Sequence, residues 1–214
     1  MKELWEFGLV AFSTLFVIVD PVGAVPAFLA MTQGEEASLR ARTARTASTT
    51  AFLVLTFFAL TGRRLFHLLG LSPEALSIAG GVILFGVSLS MLKVQPSRLM
   101  RTPEEIEEGT RKEEVGVIPL GVPMLGGPGA ITAVVVLMGR VSSPVHLAVL
   151  LTAIAAVSLA TYFILRGGTF VERALGDTGM KVVTRLMGLL LAALSVQFVL
   201  NGVSKYMTGI KGIG

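Results

Sequence analysis

The sequence predicts an all-α, polytopic membrane protein: six transmembrane helices forming two inverted three-helix repeats, with discontinuous first and fourth helices. Three observations predict it. Of the 214 residues, 53% are hydrophobic and 15% charged, whereas soluble domains are about 25% charged. The apolar residues fall in long runs, and runs of about 20 match a hydrocarbon layer about 30 Å thick. Two of these runs are interrupted by proline and glycine at matching places in the two halves.

The runs span roughly 4–31, 44–62, 75–92, 116–139, 146–166 and 183–204. Their length predicts helices, because membrane β-strands are about 10 residues long and alternate. The first run is longer than a straight span needs. Its start, "MKELWEFGLV", lacks a strongly basic n-region and a small-residue cleavage site, so the run is expected to remain as a span. Trp5 is placed at a membrane interface, as are His67 and His146 at span ends.

The two halves align at offsets of 106 to 108 residues. "DPVGA" at 20–24 matches "GPGAI" at 127–131, "GRRLFHLLG" at 62–70 matches "GTFVERALG" at 168–176, and "IAGGVILF" at 78–85 matches "LMGLLLAA" at 186–193. Three spans per half is an odd number, so the second half enters the membrane from the opposite side. The predicted organisation is a first repeat over 1–92, a cytoplasmic linker over 93–115 and a second repeat over 116–214. Inverted repeats with broken helices are a layout of secondary transporters, which hold the solute near the midplane. The linker carries Thr102, Pro103, Glu104 and Glu105, the start of a short surface helix.

Twelve of the 18 Lys and Arg fall in the first-to-second, third-to-fourth and fifth-to-sixth loops. The positive-inside rule puts those loops in the cytoplasm and both termini outside.

The first interruption is "IVDPVGAVP" at 18–26. Proline ends the helix before it yet suits the first turn of a new one, and aspartate is a good N-cap. Asp20-Pro21 therefore reads as one helix stopping and another starting, with Gly23 and Pro26 loosening the new first turn. The second interruption is "LGGPGAIT" at 125–132, where Gly126 and Gly127 precede Pro128 and Gly129 permits close approach. Two half-helix amino termini would meet near the midplane, each offering unpaired N–H groups and partial positive charge to an anionic group. Such free backbone must line a cavity or meet protein partners, because lipid offers it none.

Asp20 is the single acidic residue deep in any span. It either caps the second half-helix only, or also binds an amine, a proton or a cation. Thr46, Thr49 and Thr50 in the second span either line a path or bond to backbone carbonyls. Gln197 and Asn201, one turn apart in the sixth span, are expected to face the bundle, either bridging helices or touching solute. Ala148, Thr152, Ala156 and Ala160 form a small-residue ridge for close helix packing, and Gly80, Gly81 and Ser77 read the same way. With zero cysteines the chain has no disulfide and no thiolate chemistry. It also lacks a phosphate-binding lysine loop, a zinc-protease motif, a nucleophile elbow and a metal-ligand cluster, so neither an enzyme nor a cofactor is expected.

The pair "DPVGAVPAF" and "PLGVPMLGGPGAIT", with "RLMGLLLAALSVQFVLNG" in the sixth span, resembles the MarC family over essentially the whole chain. That family is also called the small neutral amino acid transporter family and belongs with the LysE-type exporters. The resemblance implies secondary transport of glycine, alanine and serine, coupled to a proton or a cation such as sodium. A zwitterion fits the residues. The N–H groups near Gly129, Ala130 and Ile131 suit its carboxylate, and Asp20 with nearby carbonyls suits its amine. Thr132, Gln197 and Asn201 would complete a polar wall, and Gly23 and Gly127 would keep the pocket small. The partners expected are this solute, a coupling ion and the lipid bilayer, with room for a homo-oligomer and none for nucleic acid. Two rival readings stand beside this one: a channel or export pore for small solutes, and a membrane scaffold that transports nothing.

Overall fold

A computed structural model of the chain describes residues 2–32, 34–68, 70, 72–93, 116–117 and 120–211. Every regular element among them is helical. The surface helix expected after Thr102, and all of the 93–115 linker but Lys93, lie outside the described residues.

Helix α1 (Lys2–Val19) stops at the first interruption, and the chain turns through 21–24 before α2 (Val25–Met31). Helix α3 (Ala37–Leu68) is 32 residues long, about 48 Å at 1.5 Å per residue. It therefore runs past both ends predicted from hydropathy (44–62): the backbone ladder continues through Arg40, Arg42 and Arg45 after the apolar pattern stops. Helix α4 (Pro73–Leu92) starts at a serine cap, with the Ser72 hydroxyl accepting the Ala75 N–H at 3.1 Å and Pro73 in the first turn.

The second half begins with a π-helical turn, Leu120–Leu125, inside which Val122 is extended. Helix α5 (Pro128–Met138) follows the second interruption. Helix α6 (Pro144–Arg166) is again serine-capped, Ser143 accepting the His146 N–H at 3.3 Å. Helix α7 (Gly168–Lys211) contains the predicted sixth span but extends well beyond it in both directions. It is broken at Gly176, whose φ of 60° lies in the left-handed region that glycine enters freely.

Four helical stretches are long and apolar enough to cross a membrane: Ala37–Gly62, Glu74–Leu92, Pro144–Arg166 and Thr178–Thr208. The first and fourth apolar runs are cut into shorter pieces by their interruptions. Large apolar side chains such as Leu53, Phe57, Leu159 and Phe163 cover the outside, as a lipid-facing surface requires. Inside, packing depends on small residues. The buried side of α3 is Ala44, Ala47, Ala51 and Ala59 around Leu55, and α3 packs against α5, α6 and the π-helical turn.

Helices α4 and α7 form the most extensive pair and run antiparallel. Gly202 meets α4 near Glu74 and Ile78, Gly81 meets α7 near Ser195 and Val199, and Gly188 meets Ser88 and Met91. A Cβ on Gly202 would sit 2.8 Å from the Glu74 carbonyl oxygen. The Ser77 hydroxyl crosses this seam and donates to the Phe198 carbonyl at 2.8 Å. The packing expected of Gly80, Gly81 and Ser77 is thus present.

The ridge of α6 behaves differently. Ala148, Thr152 and Ala156 line an open, apolar groove of about 720 Å³ between α1 and α6. Gly8 touches Val149 across it, and Trp5 and Phe12 line the rest.

Candidate functional site

The last helical bond of α1 runs from the Asp20 N–H to the Phe16 carbonyl at 3.0 Å. Asp20 then adopts φ 47°, rare for a non-glycine residue though tolerated by aspartate. From this position its Oδ1 accepts the Gly23 N–H at 3.0 Å. Its carboxylate lies so close over Gly23 that a Cβ there would displace it. Asp20 therefore closes the turn itself, whereas the N-cap position of α2, which the sequence reading gave to Asp20, falls on Ala24 without a side-chain bond.

The turn corrects one expectation. The new helix was expected to start at Pro21 and to present bare N–H groups. Instead, Gly23 bonds to the Asp20 side chain, Ala24 to the Asp20 carbonyl at 3.1 Å and Val25 to the Val22 carbonyl at 3.1 Å. Helix α2 starts four residues later, with Pro26, which has no N–H, in its first turn. Among the described residues, Oδ2 of Asp20 accepts no hydrogen bond. The first interruption thus offers the Oδ2 acceptor beside a turn whose Gly23, Ala24 and Val25 amides are bonded.

The second interruption does offer donors. Gly127 is extended (φ −75°, ψ 177°) and caps α5 without a side chain. The first intrahelical bond runs from the Ile131 N–H to the Gly127 carbonyl at 3.0 Å. Pro128 has no N–H, so the amides of Gly129 and Ala130 lie ahead of the ladder. Both residues are buried. Thr132 is also buried, but its hydroxyl donates to the Pro128 carbonyl at 2.9 Å and so supports the turn from within. Two residues of α4 cover this turn: Gly80 packs directly on the Thr132 side chain, and Leu84 packs on Gly129.

Leading into α5 is a seam that sequence reading missed. Gly116, Gly121 and Gly126 recur every fifth residue, the spacing of a π-helix. The Val122 N–H bonds back to Val117 and the Gly126 N–H to Gly121, each at 2.9 Å. The three glycines lie against α3, where Gly116 meets Thr43 and Thr46, Gly121 meets Thr50 and Gly126 meets Ala51. Thr46 and Thr50 thus contact the interrupted segment. Thr49 is on the exposed side of α3, because it precedes Thr50 by 100° of helix rotation.

The amides of α7 also depart from expectation. Gln197 is exposed on the outer face of α7, and its Nε2 donates to Asn201 Oδ1 at 2.8 Å. The inner face at this height is taken by Ser195 and Phe198 packed against α4, which leaves no room for a long amide. Gln197 and Asn201 therefore bridge one turn of their own helix. The structure brings together Gly127, Gly129, Ala130, Ile131 and Thr132 under α4, and Asp20 with Gly23 on the α1–α2 turn. Helix α1 packs against α5.

Comparison with known proteins agrees with this architecture. The model of the MarC family integral membrane proteins matches residues 5–207. A UPF0056 membrane protein of Pyrococcus horikoshii is 39% identical over 203 residues, covering 95% of this chain and 97% of its own length. The UPF0056 membrane protein YhcE of Escherichia coli is 35% identical, covering 94% and 91%. The counterpart YvbG of Bacillus subtilis is 35% identical, covering 90% and 92%. No solved structure matches the chain. The chain belongs to the MarC family of integral membrane proteins.

Proposed function

We propose that the protein is a secondary transporter of small neutral amino acids, of the size of glycine, alanine and serine, and works by alternating access in the cytoplasmic membrane. The observation that carries the proposal is the pair of groups found at the two interruptions. One presents a carboxylate oxygen of Asp20, the other the unladdered amides of Gly129 and Ala130. A zwitterion has one ammonium and one carboxylate, and these two ends satisfy one each. The amino-acid side chain would point at Gly80 and Leu84, where the volume is small. A proton or a sodium ion is the coupling partner in this reading, and Asp20 is the residue that would sense it.

In this reading six spans form two inverted repeats, 1–92 and 116–214, joined by a cytoplasmic linker, with both termini outside. Two features support the symmetry. Gly70 and Gly176 align at an offset of 106, and both adopt the left-handed conformation, at φ 69° and 60°. The third spans of the two halves, α4 and α7, pack antiparallel, as a two-fold axis in the membrane plane demands.

The test is uptake of labelled glycine and alanine into proteoliposomes under proton or sodium gradients. Saturable, gradient-driven uptake supports the carrier, conductance without saturation supports a pore, and absence of flux supports a scaffold.

A further inference from the structure

The outer face of α7 carries a second pattern that substrate binding does not use. Leu186, Leu190, Ala193, Gln197, Leu200 and Ser204 are all exposed. Their spacing is four, three, four, three, four, a heptad seam with its two inward positions. The pattern lies in the uncharged stretch between Arg185 and Lys205. At 1.5 Å per residue, Gln197 is about 3 Å from the middle of that stretch and Asn201 about 9 Å. Both amides are then at hydrocarbon depth, within about 15 Å of the bilayer centre.

A carboxamide facing lipid has nothing to bond to. Gln197 Nε2 is bonded to Asn201 Oδ1. Among the described residues, Gln197 Oε1 and Asn201 Nδ2 have no partner. One is an acceptor and the other a donor, on side chains one turn apart on the same face. A surface carrying both is complementary to itself.

We infer that this face of α7 is the contact between two copies of the chain. Two copies inserted in the same sense are related by an axis along the membrane normal, which sets the two α7 helices parallel. A parallel pair brings equal heights together, so Gln197 lies opposite Gln197 with the Asn201 of each copy one turn beyond, and each free acceptor and donor has an amide of the other copy within side-chain reach. This is an isologous contact. The polar pair within an otherwise apolar heptad seam fixes its register. A groove of about 260 Å³ between α4 and α7, lined by Gly81, Val82, Phe85, Val196 and Leu200, flanks the seam and admits side chains of the second copy.

The chain has no cysteine, so single cysteines report proximity cleanly. Ala193→Cys and Leu200→Cys are placed on the seam, with Leu159→Cys on α6 and Leu53→Cys on α3 as exposed controls. The inference predicts disulfide-linked dimers in native membranes for the seam positions, and none for the controls at equal expression. It also predicts that Gln197→Leu, added to Ala193→Cys, lowers the linked fraction about five- to tenfold at an unchanged melting temperature. Equal linking at control and seam positions would overturn it, as would a linked fraction indifferent to Gln197→Leu.

Discussion

Replacing Asp20 by asparagine, glycine and alanine in turn separates its structural work from its charge. The residue does two things for the fold: it accepts the Gly23 N–H at 3.0 Å, and it tolerates φ 47°. Alanine loses both. Removing an acceptor of the N-cap kind costs about 0.5–2 kcal/mol, and a Cβ in the left-handed region costs about 1–2 kcal/mol, so Asp20→Ala loses about 1.5–4 kcal/mol. Glycine loses the acceptor but relieves the backbone, at about 1 kcal/mol or somewhat more. Asparagine keeps an acceptor oxygen and the tolerance, and stays within about 1 kcal/mol of the native chain. In a chain of this size 1 kcal/mol moves the melting temperature by about 2–4 °C. The expected order in detergent, at one heating rate, is therefore native, then asparagine, then glycine, with alanine lowest by about 3–16 °C. Transport follows a different order. A hydrogen bond to a charged group is worth about 1.5–3 kcal/mol, so Asp20→Asn loses at least about tenfold in amino-acid uptake while remaining folded. An alanine variant as stable as the native chain refutes the cap. An asparagine variant that transports at the native rate refutes the carboxylate's role in binding.

The glycine contacts yield further expectations. Gly80→Val drives a branched side chain into Thr132 and prises α4 off the first turn of α5; folded yield from membranes should fall several-fold, with Gly80→Ala intermediate and partly restored by Thr132→Ala. In the π-spaced seam, Gly121→Ala should destabilise more than Gly126→Ala. The added methyl meets Thr50 at 2.7 Å in the first case, but its nearest neighbour in the second is the Gly121 carbonyl oxygen at 3.1 Å. Melting temperatures in one detergent decide the order. Ser77→Ala removes the bond from α4 to the Phe198 carbonyl and should lower stability by about 0.6–1.7 kcal/mol, without changing substrate affinity.

The places where the helices break were legible because proline and glycine act locally. Asp20-Pro21 and Gly127-Pro128 stop a hydrogen-bond ladder whatever surrounds them. How each break satisfies its amides was not legible. That depends on Asp20 swinging over Gly23 at a positive φ, a choice made by the turn as a whole. Helix ends beyond the apolar runs were missed for α3 and α7, because hydropathy reports where lipid is and not where backbone bonding ends. The inward placement assigned to Gln197 assumed that polar groups always turn away from lipid. Close α4–α7 packing through Gly81, Gly188 and Gly202 leaves that amide only the outer face. The five-residue spacing of Gly116, Gly121 and Gly126 was visible in the sequence, and a search at the π period in addition to the α period would have found it.

Counterflow tests the central claim most directly. Proteoliposomes holding the purified chain are loaded with unlabelled alanine and diluted into trace labelled glycine. A zwitterion site between the two interrupted helices predicts transient accumulation of label above equilibrium, saturable by small neutral amino acids and lost with a bulky side chain at position 129. Label that never exceeds its level in protein-free vesicles, with the protein shown to be folded and inserted, contradicts it.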